Sequence, residues 1–229
     1  IARQLVVQGC KVALVARRAE ELNRIAQSLN TAQEKKVFTY PHDVGDYTQV
    51  PALFQQITHD IGGLDAIIYA AGVMPSVQPN EYNFEKDRKM IEVNVLGAIA
   101  WLNEAAQRFG QSQGGTIVGI SSVAGERGRY PQPVYCTSKA ALNTYLEALR
   151  NRVGRYGVKV VTVKPGPVDT PMTKGLGKLP LLIPVDRAAR EIINASQSGK
   201  KNVFVPGIWR WIFLIIRNIP SFVFQKLKF

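Results

Sequence analysis

Tyr135 and Lys139 stand four residues apart in VYCTSKAAL, a stretch with helical apolar spacing, so both side chains leave one face of one helix. Ser122 lies thirteen residues before Tyr135, at the end of the apolar run TIVGISS, which reads as a strand. A lysine ammonium beside a phenol favours the phenolate and lowers the phenol pKa. Such a phenol gives or takes a proton near neutral pH. A serine hydroxyl next to it can hold a carbonyl or alcohol oxygen. The chemistry these residue types suggest is proton transfer at an oxygen bonded to carbon. Tyr and Lys at this spacing alone also describe a solvated helix face, and Ser122 at the strand end is what favours the chemical reading.

The three side chains meet only if strands and helices bring them together, and the pattern supplies both. Ile1 to Val7 reads as the second half of a helix that ends at Gly9. Strands are predicted at 11–16, 36–40, 64–72, 116–122, 158–166 and 202–205. Helices are predicted at 18–29, from Val50 to Gly62, at 84–109, 134–155 and 186–196. Strands alternating with helices of this length mean βαβ units around a parallel sheet. The fold class expected is α/β, a Rossmann-like three-layer α/β/α sandwich over residues 1–206, followed by an apolar, basic C-terminal helical tail over 207–229. In such sheets ligands bind beyond the carboxyl ends of the strands. Arg17-Arg18, Asp43-Val44, Ala70-Ala71-Gly72, Ser121-Ser122 and Pro165-Gly166 all fall at those ends.

Composition agrees with one folded α/β unit. A hydrophobic share of 46% excludes a disordered chain, and 19 glycines and 13 prolines in 229 residues exclude collagen-like or linker-like repeats. Two cysteines, Cys10 and Cys136, do not make a disulfide scaffold and point to free thiols in a reducing compartment. The net charge is +12, and after Glu191 the chain carries six basic residues and no acidic one. No apolar run reaches the length of a membrane-spanning helix. His42 and His59 stand apart from any Cys or carboxylate cluster, so no metal site is expected.

The set ISSVAG (120–125), YCTSK (135–139), NVLG (94–97), DV (43–44), YAAG (69–72) and PGPVDT (165–170) resembles the classical short-chain dehydrogenases/reductases over nearly the whole chain except its tail. The resemblance implies an oxidoreductase (EC 1.1.1.-) that passes the 4-pro-S hydride of a nicotinamide cofactor to a carbonyl carbon, or oxidises a secondary alcohol in reverse. It implies Tyr135 as general acid/base and Ser122 as holder of the substrate oxygen, with Ser121 as the competing serine. It implies Lys139 on the nicotinamide ribose, and Asn94 supporting a proton relay through Lys139. Asp43 and Val44 would flank the adenine, and Ala70, Ala71 and Gly72 would pass close to its ribose. Pro165, Gly166, Val168 and Thr170 would line the nicotinamide carboxamide and pyrophosphate. Dimers or tetramers through helices 84–109 and 134–155 are common in the family, so a homo-oligomer is expected.

The cofactor preference follows from charge. An NAD site needs an acid after the second strand of the resembled fold, and an NADP site needs a positive charge there. Here that strand, KVALVA, ends in Arg17-Arg18 with no acid before Glu20, which favours NADP(H). Two departures stand out. Tyr69 takes the first position of a turn that usually reads NNAG or NAAG, and a structural role is expected for it. The family also begins with a strand and a TGxxxGxG loop that cradles pyrophosphate at a helix N-terminus. This chain opens inside the helix that follows, so the first strand is expected to be missing between 11–16 and 65–71, and cofactor binding by the 229 residues alone is expected to be poor.

The stretch PMTKGLGKLPLLIP (171–184) is expected to be the substrate loop, an apolar lid with Leu176, Leu179, Leu181, Leu182 and Ile183, or else ordinary packing on the core. Lys174 and Lys178 could meet an anionic head group. In the tail a helix of about three turns fits between Pro206 and Pro220, with Trp209, Phe213 and Ile216 on one face and Arg210 and Arg217 on another. That pattern favours peripheral membrane contact through 207–229, at the cytoplasmic face of a membrane, over packing on the core or on a partner subunit. It is too apolar for a nucleic-acid-binding arm. The segments 124–142 and 206–227 are similar to those of reductases acting on a keto-pentose carried by a polyprenyl phosphate, which suggests a lipid-linked keto-sugar. A 3-ketoacyl or steroid ketone is the alternative, and a non-catalytic NADP-binding scaffold at a membrane is the alternative of another class.

Overall fold

The computed structural model describes residues 1–78 and 80–227. The elements follow the predicted alternation: α1 (Ala2–Val7), β1 (Val12–Ala16), α2 (Ala19–Leu29), β2 (Val37–Pro41), α3 (Val50–Asp60), β3 (Ala66–Tyr69), α4 (Phe84–Ile91), α5 (Gly97–Gln111), β4 (Thr116–Ile120), α6 (Pro133–Val153), β5 (Lys159–Pro165), α7 (Val185–Ser198), β6 (Asn202–Val205), α8 (Trp209–Asn218) and α9 (Ser221–Phe224). Local chemistry sets several of the boundaries. The Asn83 side chain accepts from the Lys86 amide and caps α4, whose first turn holds Glu85 and Asp87 and whose last holds Arg88 and Lys89. Pro133 starts α6, and Gly199, in the left-handed region at φ 66°, ends α7.

All strand pairs are parallel, but the sheet comes in two hydrogen-bonded pieces, β1-β2 and β3-β4-β5-β6. The first strand of the resembled fold was expected to be missing between the stretches that form β1 and β3, and among the described residues no strand pairing joins the two pieces. Successive residues of a strand face opposite layers. Ile117 and Val160 face a core built with Phe54, Trp101, Leu102, Leu142 and Leu146 of α3, α5 and α6. Val118, Val161 and Val163 face the other way, onto Ala188 and Ile192 of α7. Helices on both faces of a parallel sheet make the predicted three-layer sandwich. Cys10 is exposed and Cys136 buried, and both thiols are free.

One predicted element divides. The helix expected at 84–109 is α4 and α5 joined by a π-helical turn, Glu92–Leu96. A one-residue widening of this kind re-aims the side chain it carries, and π turns gather at functional sites.

The tail requires a correction. Membrane contact through 207–229 was expected, and the structure gives that apolar stripe another use. No helix among the described residues is long and apolar enough to cross a membrane. Trp209 and Phe213, read as the lipid-facing stripe, are buried together against Val123, with Phe204, Ile212 and Ile216 packed alongside. An amphipathic stripe records that a helix must cover its apolar face, not what covers it, and here the covering surface is the chain's own core. Lys228 and Phe229, the last two tail positions, lie outside the described residues.

Gly119 tests how closely α6 sits on the sheet. A Cβ there would stand 2.3 Å from Leu146 Cδ1, and Leu146 is fully buried. Gly119→Ala is expected to destabilise the fold by about 1–3 kcal/mol, read as a lower urea midpoint, and an unchanged midpoint would show that the contact has slack.

Candidate active site

The end of β4 builds the first wall of the site. Ser121 and Ser122 follow Ile120, and a 3₁₀ turn, Val123–Glu126, begins on Ser122. Their hydroxyls go in different directions. Ser121 Oγ donates to the Lys139 carbonyl at 3.1 Å, which ties the strand end to α6. Ser122 Oγ accepts from the Ala124 amide at 3.1 Å and donates to the Pro165 carbonyl at 3.4 Å, and its hydroxyl is near enough to the Tyr135 phenol to lower its pKa. Of the two serines, Ser121 is thus engaged with the α6 backbone, and Ser122 is the one whose hydroxyl lies on the Tyr135 side.

Tyr135 and Lys139 lie on the first two turns of α6 and are 8% and 4% exposed. The Lys139 ammonium donates to the Ile120 carbonyl at 3.1 Å and lies 5.8 Å from the centre of the Tyr135 ring. Burial pushes the Lys139 pKa down to about 8. Burial also holds the Tyr135 phenol above its ordinary range, while the Ser122 hydroxyl beside it and the charge of Arg129 pull it back. This differs from the expectation of a phenol made acidic by the lysine. The ammonium is turned to a backbone carbonyl, and loss of solvent outweighs the nearby positive charge.

Asn94 comes from the π turn and is fully buried. Its Nδ2 donates to the Val73 carbonyl at 3.0 Å and to Ser138 Oγ at 3.0 Å, and its Oδ1 accepts from the Val73 amide at 2.8 Å. The side chain therefore ties the segment after β3 to α6. Gly72 lets these elements converge, because a Cβ there would lie 3.4 Å from both Asn94 Oδ1 and Lys139 Nζ. Tyr69 explains its own departure from the usual turn. It is buried, and its hydroxyl donates to the Val93 carbonyl at 2.7 Å, so it braces the π turn that presents Asn94.

The remaining predicted residues spread along the same carboxyl edge. Arg17 and Arg18 are exposed after β1, with Arg17 3.9 Å from Asp43 Oδ2. Asp43 Oδ1 accepts from the Gly45 amide at 2.9 Å, and Lys89 also lies 3.9 Å from Asp43. Val44 packs where a Cβ on Gly97 would meet its carbonyl at 2.9 Å. Ala70 and Ala71 run from β3 into Gly72. Beyond β5, Gly166 lies under the Trp209 indole, so close that a Cβ there would stand 1.9 Å from Nε1. Val168 bridges Ile183, and the Thr170 amide donates to Thr173 Oγ1 at 3.0 Å. These contacts pin the ends of 171–184. Met172, Leu176, Leu181 and Leu182 between them are exposed, and Ile183 is buried.

Sequence reasoning missed Ser138, Arg129 and the pair Glu126-Arg127. Ser138 stands inside YCTSK, and its i−3 bond to the Tyr135 carbonyl at 2.8 Å is a helical habit of serine that could have been anticipated. The charged pair was signalled by its place directly after an apolar strand end. Among the described residues no three His, Cys, Asp or Glu gather as metal ligands.

Comparison with known proteins bears on this geometry. A profile described as short chain dehydrogenase matches residues 1–179. An uncharacterized oxidoreductase of Staphylococcus epidermidis is 33% identical over 175 residues, 76% of this chain and 74% of that protein. An uncharacterized oxidoreductase of Mycobacterium tuberculosis is 28% identical over 218 residues, 94% of this chain and 85% of that one. The solved structure of ElxO with NADP bound has the same fold, with a TM-score of 0.71 at 22% identity over 96% of this chain and 87% of its own.

Two measurements follow. Removing the Tyr69 hydroxyl in Tyr69→Phe is expected to cost about 1 kcal/mol, seen in the urea midpoint, and no loss would mean that the π turn does not need the brace. The second concerns pH. Below about pH 8 Lys139 is charged in folded and unfolded chains alike, and the cost of burying the charge is present in full. Between about 8 and the ordinary value of 10.5 the folded chain has released a proton that the unfolded chain still holds, so stability rises with pH. Lys139→Met should lack that rise, and identical pH profiles for the two proteins would contradict the burial of a titrating ammonium.

Proposed function

The chain belongs to the short-chain dehydrogenase family and is an oxidoreductase, and from that premise we propose that it uses NADP(H) to reduce a ketone, or to oxidise a secondary alcohol, on a lipidic or lipid-linked substrate. The observation that carries the proposal is the convergence of Ser122, Tyr135, Lys139 and Asn94 at the carboxyl ends of β3 and β4.

The residues present suit the cofactor at both of its ends. Gly72 leaves a surface beside the Lys139 ammonium that any side chain would fill. Lys139 has three N–H donors, of which, among the described residues, one is engaged by the Ile120 carbonyl. A ribose diol suits the other two. Arg17 and Arg18 give two exposed guanidiniums beyond β1 for a 2′-phosphate, with Asp43 and Val44 beside them for the adenine. Ala70, Ala71 and Gly72 are small enough for close approach. Pro165, Gly166, Val168 and Thr170 form the opposite wall. When bound, the reduced cofactor supplies the hydride that the carbonyl carbon accepts.

The chain's own groups then manage the oxygen. Ser122 Oγ and the Tyr135 hydroxyl hold the carbonyl oxygen from one side and stabilise the negative charge that develops on it. Tyr135 gives its proton to that oxygen, which suits a phenol that burial keeps protonated. Lys139 stabilises the phenolate left behind, and Asn94 keeps Lys139 and Gly72 in register for returning a proton along the same path. In the alcohol direction the steps reverse.

The substrate class rests on the loop 171–184. It carries Met172, Leu176, Leu181 and Leu182 exposed beyond the β5 end, where an apolar substrate would cover them. A keto-pentose on a polyprenyl phosphate, the substrate class of the reductase subunit of decaprenylphosphoryl-ribose 2′-epimerase, rests on the likeness of the last third of the sequence, with Lys174 and Lys178 available to the phosphate. A 3-ketoacyl or steroid ketone would use the same apolar surface. A purely cofactor-binding scaffold has no use for a serine hydroxyl placed beside the Tyr135 phenol.

Tyr135→Phe is expected to lower the rate of ketone-dependent NADPH oxidation by about 10²-fold or more, with NADPH affinity changed by less than about threefold. A variant that turns over at the wild-type rate would remove Tyr135 from the proton transfer. Screening lipid-linked keto-sugars against acyl and steroid ketones with NADPH identifies the substrate class.

A further inference from the structure

The turn that begins on Ser122 is held from two sides. On the inner side it presses on α6: a Cβ on Gly125 would lie 2.7 Å from the Lys139 carbonyl carbon, and the Gly125 carbonyl accepts from Asn143 Nδ2 at 3.3 Å. On the outer side it meets the tail. Val123, the first residue of the turn, is buried against Trp209 and Phe213 of α8. Arg127, directly after the turn, donates from one guanidinium nitrogen to the carbonyl of Ile216 and, at 2.7 Å, to that of Ile219, with the Arg217 carbonyl at 3.4 Å. Its guanidinium also lies over the Phe224 ring of α9, 3.9 Å from the centre.

The last carbonyls of a helix have no partner within it, and at the end of α8 Arg127, from just beyond the Ser122 turn, reaches those of Ile216 and Arg217. Glu126 adds a buried charge to the joint. It is 4% exposed at its side chain and pairs with Lys164 on β5 at 2.6 Å and with Arg217 on α8 at 3.2 Å. Pro165 follows Lys164, and the Ser122 hydroxyl is bonded to the Pro165 carbonyl. Glu126 therefore ties together the three segments that meet at Ser122.

We propose that α8 and α9 are a positioning element for the reaction: seated on the 123–127 turn through Arg127, Glu126 and Val123, the tail sets where the Ser122 hydroxyl lies relative to the Tyr135 phenol. The inference rests on the functional reading of Ser122 and Tyr135. Arg127 and Glu126 are positioning residues in it, since they touch the turn and the tail and not the reacting oxygen. It gives the C-terminal segment a part in catalysis through the 123–127 turn.

The test compares the wild-type protein with Arg127→Gln, Phe213→Ala and the double variant by hydrogen exchange. The segment 121–127 contains the Ala124 and Gly125 amides, both bonded to Ser122 at 3.1 Å. Arg127→Gln is expected to speed exchange there about tenfold, the size of a lost hydrogen bond to a charged group, and Phe213→Ala at least as much, since it empties a buried ring site. The double variant should be no faster than the faster single, because both act through one docked state. Arg127→Lys keeps a cation but cannot reach several carbonyls at once, and should lie between wild type and Arg127→Gln. NMR titration of Tyr135, assigned with Tyr135→Phe, supplies a readout that loss of stability alone would not move. The phenol should titrate higher in Arg127→Gln, because the Ser122 hydroxyl that lowers its pKa is less firmly placed beside it. Faster exchange at 209–224 with unchanged exchange at 121–127 and an unchanged Tyr135 titration would overturn the proposal, as would additive effects in the double variant. Full turnover by Tyr135→Phe would instead overturn the functional reading and leave the coupling between tail and turn to stand or fall on exchange and titration.

Discussion

Taking a lysine ammonium out of water is unfavourable unless oxygen atoms replace the solvent it loses, and Lys139 is 4% exposed. The elements around it are arranged by that demand. The Ile120 carbonyl, left at the end of β4, receives one of its protons. Ser121 holds the Lys139 backbone against the same strand end. Gly72 has no side chain to occupy the remaining space, and Asn94 fixes the Gly72–Val73 segment against α6. The charge that makes the site expensive to bury also suits it to polar hydroxyls arriving from outside.

The phenol shows the same competition with a different result. Tyr135 is placed by its helix four residues from Lys139, yet burial raises its pKa while the ammonium is directed to a carbonyl. The groups that oppose burial are Ser122, just beyond the end of β4, and Arg129, in the segment before α6. The acidity of the phenol is therefore a property of the strand-end turn as much as of the YxxxK spacing. That turn is in contact with the C-terminal helix, which makes the far end of the chain relevant to the proton donor.

The tail illustrates how one pattern admits two partners. The sequence shows a helix with Trp209, Phe213 and Ile216 along one face, and that face requires an apolar cover. A lipid surface and the chain's own core satisfy the requirement equally at the level of sequence. Tertiary structure decides for the core, because Val123 and Phe204 lie within reach once β4, β5 and β6 are aligned. The acid that receives Arg217 is Glu126, ninety-one residues earlier, and no periodicity connects them. The π turn was hidden for a related reason. The apolar spacing across 84–109 reads as one helix, and the widening that presents Asn94 is met by Tyr69, which reaches the Val93 carbonyl from β3.

Local patterning carried the alternation of strands and helices, the parallel sandwich, the carboxyl-edge location of Arg17, Asp43, Gly72, Ser122 and Gly166, and the common helix face of Tyr135 and Lys139. These follow from periods of two and of 3.6 residues and from turn residues, which act over a few positions of chain. The separate tasks of Ser121 and Ser122, the direction of the Tyr135 pKa and the docking of α8 were decided by tertiary structure. Each depends on which backbone carbonyls and apolar surfaces stay uncovered after the layers have packed, and that remainder is set by residues distant in the chain.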